Sequence, residues 1–197
     1  SIFFLFSDAV LSLNDRFGGI CWLVSKEVKM YQVNDHVVYG NYGICVVKAI
    51  GKLEMDSAAK DRLYYTLEPL YSEKNTIYTP VDKKDATMRC AITEQEAWNL
   101  IDGIQGQEMI QVADEKRAEH EYREIMKTNE CTGWSRIIKT IYLKNRKRLE
   151  GGKRYTAKDD VYLRLAEDFL YRELAAALNV NREDVESIIS DRVKQLS

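Results

Sequence analysis

The stretch from Val33 to Ile50 reads VNDHVVYGNYGICVVKAI, and its pattern determines the fold class of the N-terminal part. β-Branched and aromatic residues form two short runs on either side of Gly40 and Gly43. Such runs favour strands, and glycine accepts the positive φ angles that a tight turn demands. We therefore predict two antiparallel strands joined by a turn at residues 40–43.

Two more strand-like runs follow, at residues 62–70 and 76–81. Pro69 has no N–H to donate to a ladder, so the first of these runs should end there or lie at an edge. Four or five short, closely spaced strands predict a small, strongly bent antiparallel β-barrel. Such a module is typical of binding proteins, since a short edge strand can pair with a strand of another protein.

From residue 93 onward the sequence has the pattern of helices. Thr93 and Glu96 form the signature of a capping box, which begins the first helix. The apolar spacing predicts a charged helix over residues 107–127 and a basic helix from about Trp134 to Glu150. The predicted fold class is therefore α+β, a small bent antiparallel β-barrel followed by an all-α part.

The basic helix and the two helices after it carry apolar residues at helical spacing, so each should bury one face. The two later helices begin near Thr156 and Asn181, both of which are N-cap residue types. The predicted buried positions of the basic helix are Ile137, Ile138, Ile141, Tyr142 and Leu149. Those of the next helix are Val161, Leu165, Leu170, Leu174 and Leu178, and those of the last are Val185, Ile188, Ile189, Val193 and Leu196.

Residues 136–158 contain nine Lys or Arg and a single acid, Glu150, although the whole chain has a formal net charge of -2. A polyanion is the natural partner for such a concentration of positive charge. The alternative is a solvated helix face, which is what most charge runs are. The nine cations are Arg136, Lys139, Lys144, Arg146, Lys147, Arg148, Lys153, Arg154 and Lys158.

No group of residues indicates catalysis. The composition, with 45% hydrophobic residues among 197, is typical of one or two small globular domains. The run Gly151-Gly152-Lys153 lacks the spacing of a phosphate-binding loop. The four cysteines are scattered without a C-x-x-C pair, and only two histidines could assist them. We therefore predict no catalytic residue, no metal site and no cofactor.

Residues 1–29 do not continue the pattern of the rest. The apolar run Ile2–Phe6 resembles a signal peptide only loosely, because no basic residue precedes it and Asp8 soon interrupts the apolar residues. It is also too short to span a membrane. We predict that Met30 is the biological start and that residues 1–29 are a non-native or upstream-start extension. The alternative is an N-terminal helix that packs its apolar face on the body.

Four motifs, in this order, resemble the CarD family of bacterial transcription regulators. They are Val37-Val38-Tyr39-x-x-x-Gly43-Ile44-Cys45-Val46-Val47, Tyr64-Tyr65-x-Leu67, Ile77-Tyr78-Thr79-Pro80-Val81, and Trp134-Ser135-Arg136 with Lys139. The likeness runs from Met30 to the C-terminus. It implies a Tudor-like domain at residues 30–88 that binds the RNA polymerase β subunit and is shared with transcription-repair coupling factors. It also implies a helical DNA-contacting domain at residues 89–197.

The resemblance implies that Trp134 wedges into the minor groove at the upstream edge of the transcription bubble and slows its collapse. Unstacking a base step costs a few kcal/mol, and the cost is smallest where the duplex is already opening. From the residues alone, a buried anchor for the helix is an equally good role for Trp134. The family often has a second arginine where this chain has Ile137. The implied DNA-binding residues are Trp134, Arg136, Lys139, Lys144, Arg146, Lys147 and Arg148, and the implied polymerase-binding residues are Ile77, Tyr78, Thr79, Pro80, Arg62 and Tyr64.

The resemblance and the charge pattern together predict a transcription regulator that binds RNA polymerase and stabilises open promoter complexes. We expect a cytoplasmic monomer without enzymatic activity, with polymerase and promoter DNA as its partners. One alternative is a nucleic-acid-binding protein that acts without polymerase, which would bind duplex tightly and in a salt-sensitive manner by itself. Another is a protein adaptor whose basic helix is merely solvated, so that reversing its charges would change nothing.

Overall fold

The computed structural model describes residues 30–53, 62–71, 75–83, 88–111, 114–154 and 156–196. The prediction about residues 1–29 lies outside these ranges. From Gln32 onward the contacts group the chain into one compact unit. The predicted division into two domains after residue 88 stays a prediction.

The N-terminal part forms a five-stranded antiparallel sheet. Its strands are β1 (His36–Tyr39), β2 (Ile44–Gly51), β3 (Tyr64–Pro69), β4 (Ile77–Pro80) and β5 (Met88–Cys90). They lie in the order β4-β3-β2-β1-β5. The four predicted strands are confirmed, and β5 is an addition that the sequence did not indicate. The described pairings run from edge to edge without joining β4 to β5, so the closed, Tudor-like barrel stays a prediction.

The predicted turn between β1 and β2 is confirmed as a short 3-10 turn at Gly40–Tyr42. Gly40 and Gly43 have φ angles of 48° and 68°, in the left-handed region. A Cβ atom on Gly43 would also lie 3.3 Å from the ring of Phe169. Glycine is therefore required at this position both by the backbone and by the helix that packs on the turn.

Five helices follow the sheet in the described part of the chain. The capping box at Thr93 and Glu96 is confirmed, and so are the N-cap at Thr156 and the helix end at Gly151. No described helix is long and apolar enough to cross a bilayer. The helices are α1 (Glu94–Gly103), α2 (Glu115–Thr128), α3 (Cys131–Glu150), α4 (Ala157–Leu178) and α5 (Val185–Gln195).

Two predicted helix boundaries are wrong. The charged helix α2 begins at Glu115 rather than at residue 107, because Asp114 caps it by accepting a hydrogen bond from the Arg117 N–H. The basic helix α3 begins at Cys131 rather than near Trp134. Gly133 is therefore helical, and a Cβ atom there would lie 2.7 Å from Ile125 on α2. This glycine allows two helices to pack closely and does not mark a break.

The core lies between the helices and includes part of the sheet. Val38 of β1 belongs to the same buried cluster as Trp134, Ile141, Leu170 and other helical residues. The sheet and the helices therefore share one hydrophobic core. Several residues predicted to be buried are exposed instead, because each helix contacts its neighbours along a narrower stripe than the apolar pattern suggests. These residues are Tyr142 and Leu149 of α3, Val161 and Leu165 of α4, and Leu196.

Candidate functional site

Among the described strands, β4 pairs with β3 alone and so lies at an open edge of the sheet. The N–H of Val81 donates to the carbonyl of Leu63 beyond the strand end, at 3.0 Å. Main-chain groups alternate between the two sides of a strand, so those of Thr79 also face β3. Those of Tyr78 and Pro80 face away from the sheet. Pro80 has no N–H, and its carbonyl accepts from the Lys83 N–H at 3.3 Å, so the open edge presents the N–H and the carbonyl of Tyr78.

Some side chains of β4 hold the strand in the fold, and others are accessible to a partner. Thr79 is buried, and its hydroxyl accepts a hydrogen bond from the Tyr39 hydroxyl at 3.1 Å. Tyr78 is 46% exposed, and Ile77 and Pro80 are half-buried. Of the predicted polymerase-binding residues on this strand, Tyr78 is therefore the accessible one and Thr79 anchors the strand.

Arg62 and Tyr64, also predicted to contact polymerase, lie beside the same edge. Tyr64 is half-buried and pairs in register with Pro80. The Nε atom of Arg62 donates to Asp82 at 2.7 Å, and this hydrogen bond raises the pKa of the guanidinium above its ordinary value. The charge of Arg62 is thus partly neutralised by a neighbour on the surface.

Lys139 of α3 does not point freely to solvent. Its ammonium group donates to the carbonyls of Gln105 and Gln107, each at 2.6 Å, and to that of Ile104 at 3.3 Å. An ammonium has three N–H groups, so these acceptors use all of them. The carbonyls lie in the segment after α1, where the last carbonyls of a helix lack partners within the helix, and that of Ile104 also accepts from the Gln107 N–H at 3.3 Å. Lys139 therefore caps this segment and has no donor left for a phosphate.

Replacing Lys139 with methionine should destabilise the fold by about 1–3 kcal/mol, because it removes the ammonium that donates to the carbonyls of Gln105 and Gln107. The matched control is Lys147→Met, which removes the same charge from an exposed position of the same helix. That change should alter stability by no more than about 0.5 kcal/mol. Urea unfolding midpoints compare the two variants. Equal midpoints would contradict the capping role of Lys139.

Three other predicted DNA contacts on α3 also have partners within the chain. Lys144 forms a salt bridge with the buried Asp159 at 2.7 Å. Arg136 donates to the carbonyl of Glu108 at 3.3 Å, and Arg148 donates to the carbonyl of Arg154 at 3.0 Å. These bonds tie α3 to the segment before α2 and to the start of α4. The structure therefore explains part of the positive charge as support for the fold.

The accessible positive charge is concentrated at the C-terminal end of α3. We define the basic tip as Arg146, Lys147, Lys153 and Arg154. Arg146 is exposed and lies 3.8 Å from Glu150, the one acid of this stretch. Lys147, Lys153 and Arg154 are exposed as well. The basic tip could contact a phosphate backbone without rearrangement, and it contains Arg146 and Lys147 of the predicted DNA-binding set.

Trp134 lies in the core and is 1% exposed. Its ring packs on Phe169 of α4, with centroids 5.3 Å apart, and the guanidinium of Arg89 lies 5.7 Å from the ring centre. Ile137, at the position where the family often has arginine, is fully buried next to it. This arrangement favours the anchor role for Trp134. A contact between the indole and DNA stays a prediction, and it would require the ring to leave the core.

One stretch of the sequence, which contains the five described strands and the turn at residues 40–43, matches a known domain family. Residues 31–92 match the family model of the CarD-like/TRCF RID domain, which is an RNA polymerase-interacting domain. This stretch is similar to that domain, and we refer to it as the RID domain. No curated protein matched the chain in a sequence search. The matched stretch ends just before the capping box of α1 and does not extend over the basic helix.

A buried ion pair joins the RID domain to the helices. Arg89 of β5 donates to both carboxylate oxygens of Glu173 on α4, at 2.6 and 2.8 Å. Glu173 is 1% exposed and also accepts hydrogen bonds from the Ile92 N–H and from the thiol of Cys131. Arg89 further donates to the Asn129 carbonyl. The pair therefore holds β5, the start of α3 and the middle of α4 together.

The electrostatics of this pair follow from its burial. Burial disfavours the charged guanidinium, but the hydrogen bonds and charge of Glu173 outweigh it and raise the pKa of Arg89 above its ordinary value. Burial and the adjacent carboxylate also raise the pKa of the Cys131 thiol. The thiol is thus protonated and donates to Glu173. The sequence patterns did not predict this cluster, although one signal is present, since Glu173 is a charge within the apolar stripe of α4 next to Leu170 and Leu174.

Proposed function

We propose that this protein is a transcription regulator that binds RNA polymerase through its RID domain and stabilises the open promoter complex with its helices. The match of residues 31–92 supports the polymerase-interacting, transcription-related part of this proposal. The proposal adds that the β subunit is the partner. It also adds that the helices contact promoter DNA at the upstream edge of the bubble. The protein would act in the bacterial cytoplasm and would not catalyse a reaction.

The open edge of β4 supports the proposed mode of polymerase binding. A strand of the partner can pair with Tyr78, whose main-chain N–H and carbonyl face away from the sheet. The exposed Tyr78 ring can pack on the same partner strand. Affinity would then come from backbone hydrogen bonds and one aromatic side chain, with little dependence on charge.

The basic tip supports the proposed DNA contact. Its four cations, with Glu150 as the acid of the same stretch, would bind phosphates without reading sequence. The ion pair between Arg89 and Glu173 fixes the RID domain on the helices. Polymerase binding at β4 would therefore place the basic tip at one position relative to the promoter.

Replacing Tyr78 with proline should weaken polymerase binding by about tenfold, because it removes the outward N–H while leaving the bonds between β4 and β3 in place. The control is Tyr78→Thr, which removes the ring but keeps the N–H. Titration of labelled polymerase with each variant measures the affinity. Unchanged affinity of the proline variant would contradict strand pairing, and equal losses in both variants would assign the binding to the ring.

The proposed function is tested by the lifetime of an open promoter complex after addition of a competitor. The native protein should prolong the lifetime, and Arg146→Glu/Lys147→Glu should abolish the gain. The control is Lys127→Glu/Lys194→Glu, which makes the same change in charge at exposed lysines outside the basic tip. Each lost phosphate contact should also reduce the salt dependence of DNA binding by about one in slope.

An unchanged lifetime with the native protein, using polymerase from the same source, would contradict the proposed function. Tight and salt-sensitive binding to duplex without polymerase would instead support a general nucleic-acid-binding protein. Polymerase binding without any effect of the reversed charges would support an adaptor.

A further inference from the structure

The exposed aromatic residue of the basic helix is Tyr142, not Trp134. Tyr142 is 63% exposed, whereas Trp134 is 1% exposed. Arg146 and Leu149 follow Tyr142 at four and seven residues, which places all three on one face of α3. Leu149 is 54% exposed. An aromatic ring, a guanidinium and an aliphatic side chain therefore lie side by side where α3 approaches the basic tip.

The side chain of Tyr142 is available to a binding partner. Among the described residues, no ring stacks on it and no group forms a hydrogen bond with its hydroxyl. It stands at the rim of a mostly apolar groove of about 340 Å³, which Ile138, Leu170 and Ile189 also line. Tyr142 thus lines the groove and still exposes most of its surface to a partner.

The charges around Tyr142 determine which partner fits. An apolar protein surface would match the ring and Leu149 but would leave the cations of the basic tip without counter-charges. A nucleic acid with unstacked bases matches both, because aromatic side chains stack on base faces and cations bind the adjacent phosphates. A fully paired duplex offers phosphates but keeps its base faces covered. The surface is therefore suited to a junction of paired and unpaired DNA.

We propose that Tyr142 stacks on an unpaired base at the edge of the opened DNA while Arg146 and Lys147 hold the neighbouring phosphates. The inference rests on the proposed function and names the side chain through which the helices distinguish open from closed DNA. Phenylalanine can replace tyrosine in this role, since the ring face makes the contact.

The test compares binding of the full chain, at low salt, to a DNA duplex with an unpaired bubble and to a fully paired duplex of the same length. Tyr142→Ala should weaken binding to the bubble by about tenfold and leave binding to the paired duplex unchanged. Tyr142→Phe should bind both as the native chain does. The control is Tyr42→Ala, which removes an exposed ring from the RID domain. The same variants in the open-complex lifetime assay give a second measurement.

Unchanged bubble binding by Tyr142→Ala, together with weaker binding by Arg146→Glu/Lys147→Glu, would overturn the role of Tyr142 and leave the proposed function in place. Equal losses on bubble and paired DNA would also overturn it. If the reversed charges have no effect on DNA binding or on the open-complex lifetime, the proposed function fails as well. Because Tyr142 is exposed, all its variants should keep the native unfolding midpoint.

Discussion

Replacing Arg89 with methionine is expected to destabilise the protein by about 3–5 kcal/mol, because it leaves the buried carboxylate of Glu173 without its partner. Methionine fills a similar volume, so the loss comes from the uncompensated charge and not from a cavity. The carbonyl of Asn129 also loses a donor. Guanidinium unfolding of the native and variant chains measures the loss directly.

The double variant Arg89→Met/Glu173→Gln separates the charge from the packing. Glutamine keeps an acceptor for the Ile92 N–H but has no charge to desolvate. We expect the double variant to recover more than half of the stability lost in Arg89→Met, since a neutral pair costs less to bury than an unpaired ion. A double variant as unstable as the sum of both single changes would show that the residues do not act as a pair.

Replacing Trp134 with alanine should cost about 3–5 kcal/mol, the loss typical of a large aromatic side chain removed from a core. The cavity would lie between Phe169 and Arg89, where the sheet meets α3 and α4. Trp134→Phe keeps a ring on Phe169 and should cost less. Any loss of open-complex lifetime in Trp134→Ala would then accompany a loss of folded protein.

Unfolding midpoints and open-complex lifetimes measured on the same Trp134 variants distinguish the two roles of this residue. A fully stable Trp134→Ala variant that no longer prolongs the open complex would support the wedge that the family resemblance implies. A destabilised variant whose remaining folded fraction still prolongs the lifetime would support the anchor. The burial of the indole leads us to expect the second result.

The sequence predicted those elements whose signals are local. The glycines at 40 and 43 and the capping box at Thr93 act within a few residues, so their patterns are sufficient to place a turn and a helix start. The strand β5 is too short to show a period, and its role comes from Arg89, which contacts Glu173 84 residues further along the chain. No local pattern specifies such a partner.

The roles of the candidate DNA-binding residues also depend on contacts that no local sequence pattern specifies. A count of charges cannot separate Lys139, which caps carbonyls more than thirty residues earlier in the chain, from Lys147, which is exposed. The apolar period of α3 likewise includes both Ile141, which is buried, and Tyr142, which is not. The position of a residue along the helix defines the face on which it lies, but the packing of the neighbouring helices determines how much of that face is buried.

The proline in β4 bears on how the protein behaves at high concentration. Two copies of this edge brought together would each offer the outward N–H and carbonyl of Tyr78, because Pro80 has no N–H and its carbonyl accepts from the Lys83 N–H. Pairing of the edge with itself would therefore rest on very few main-chain hydrogen bonds and would be weak. The protein should thus resist self-association through the edge of β4, while Tyr78 stays available to the polymerase.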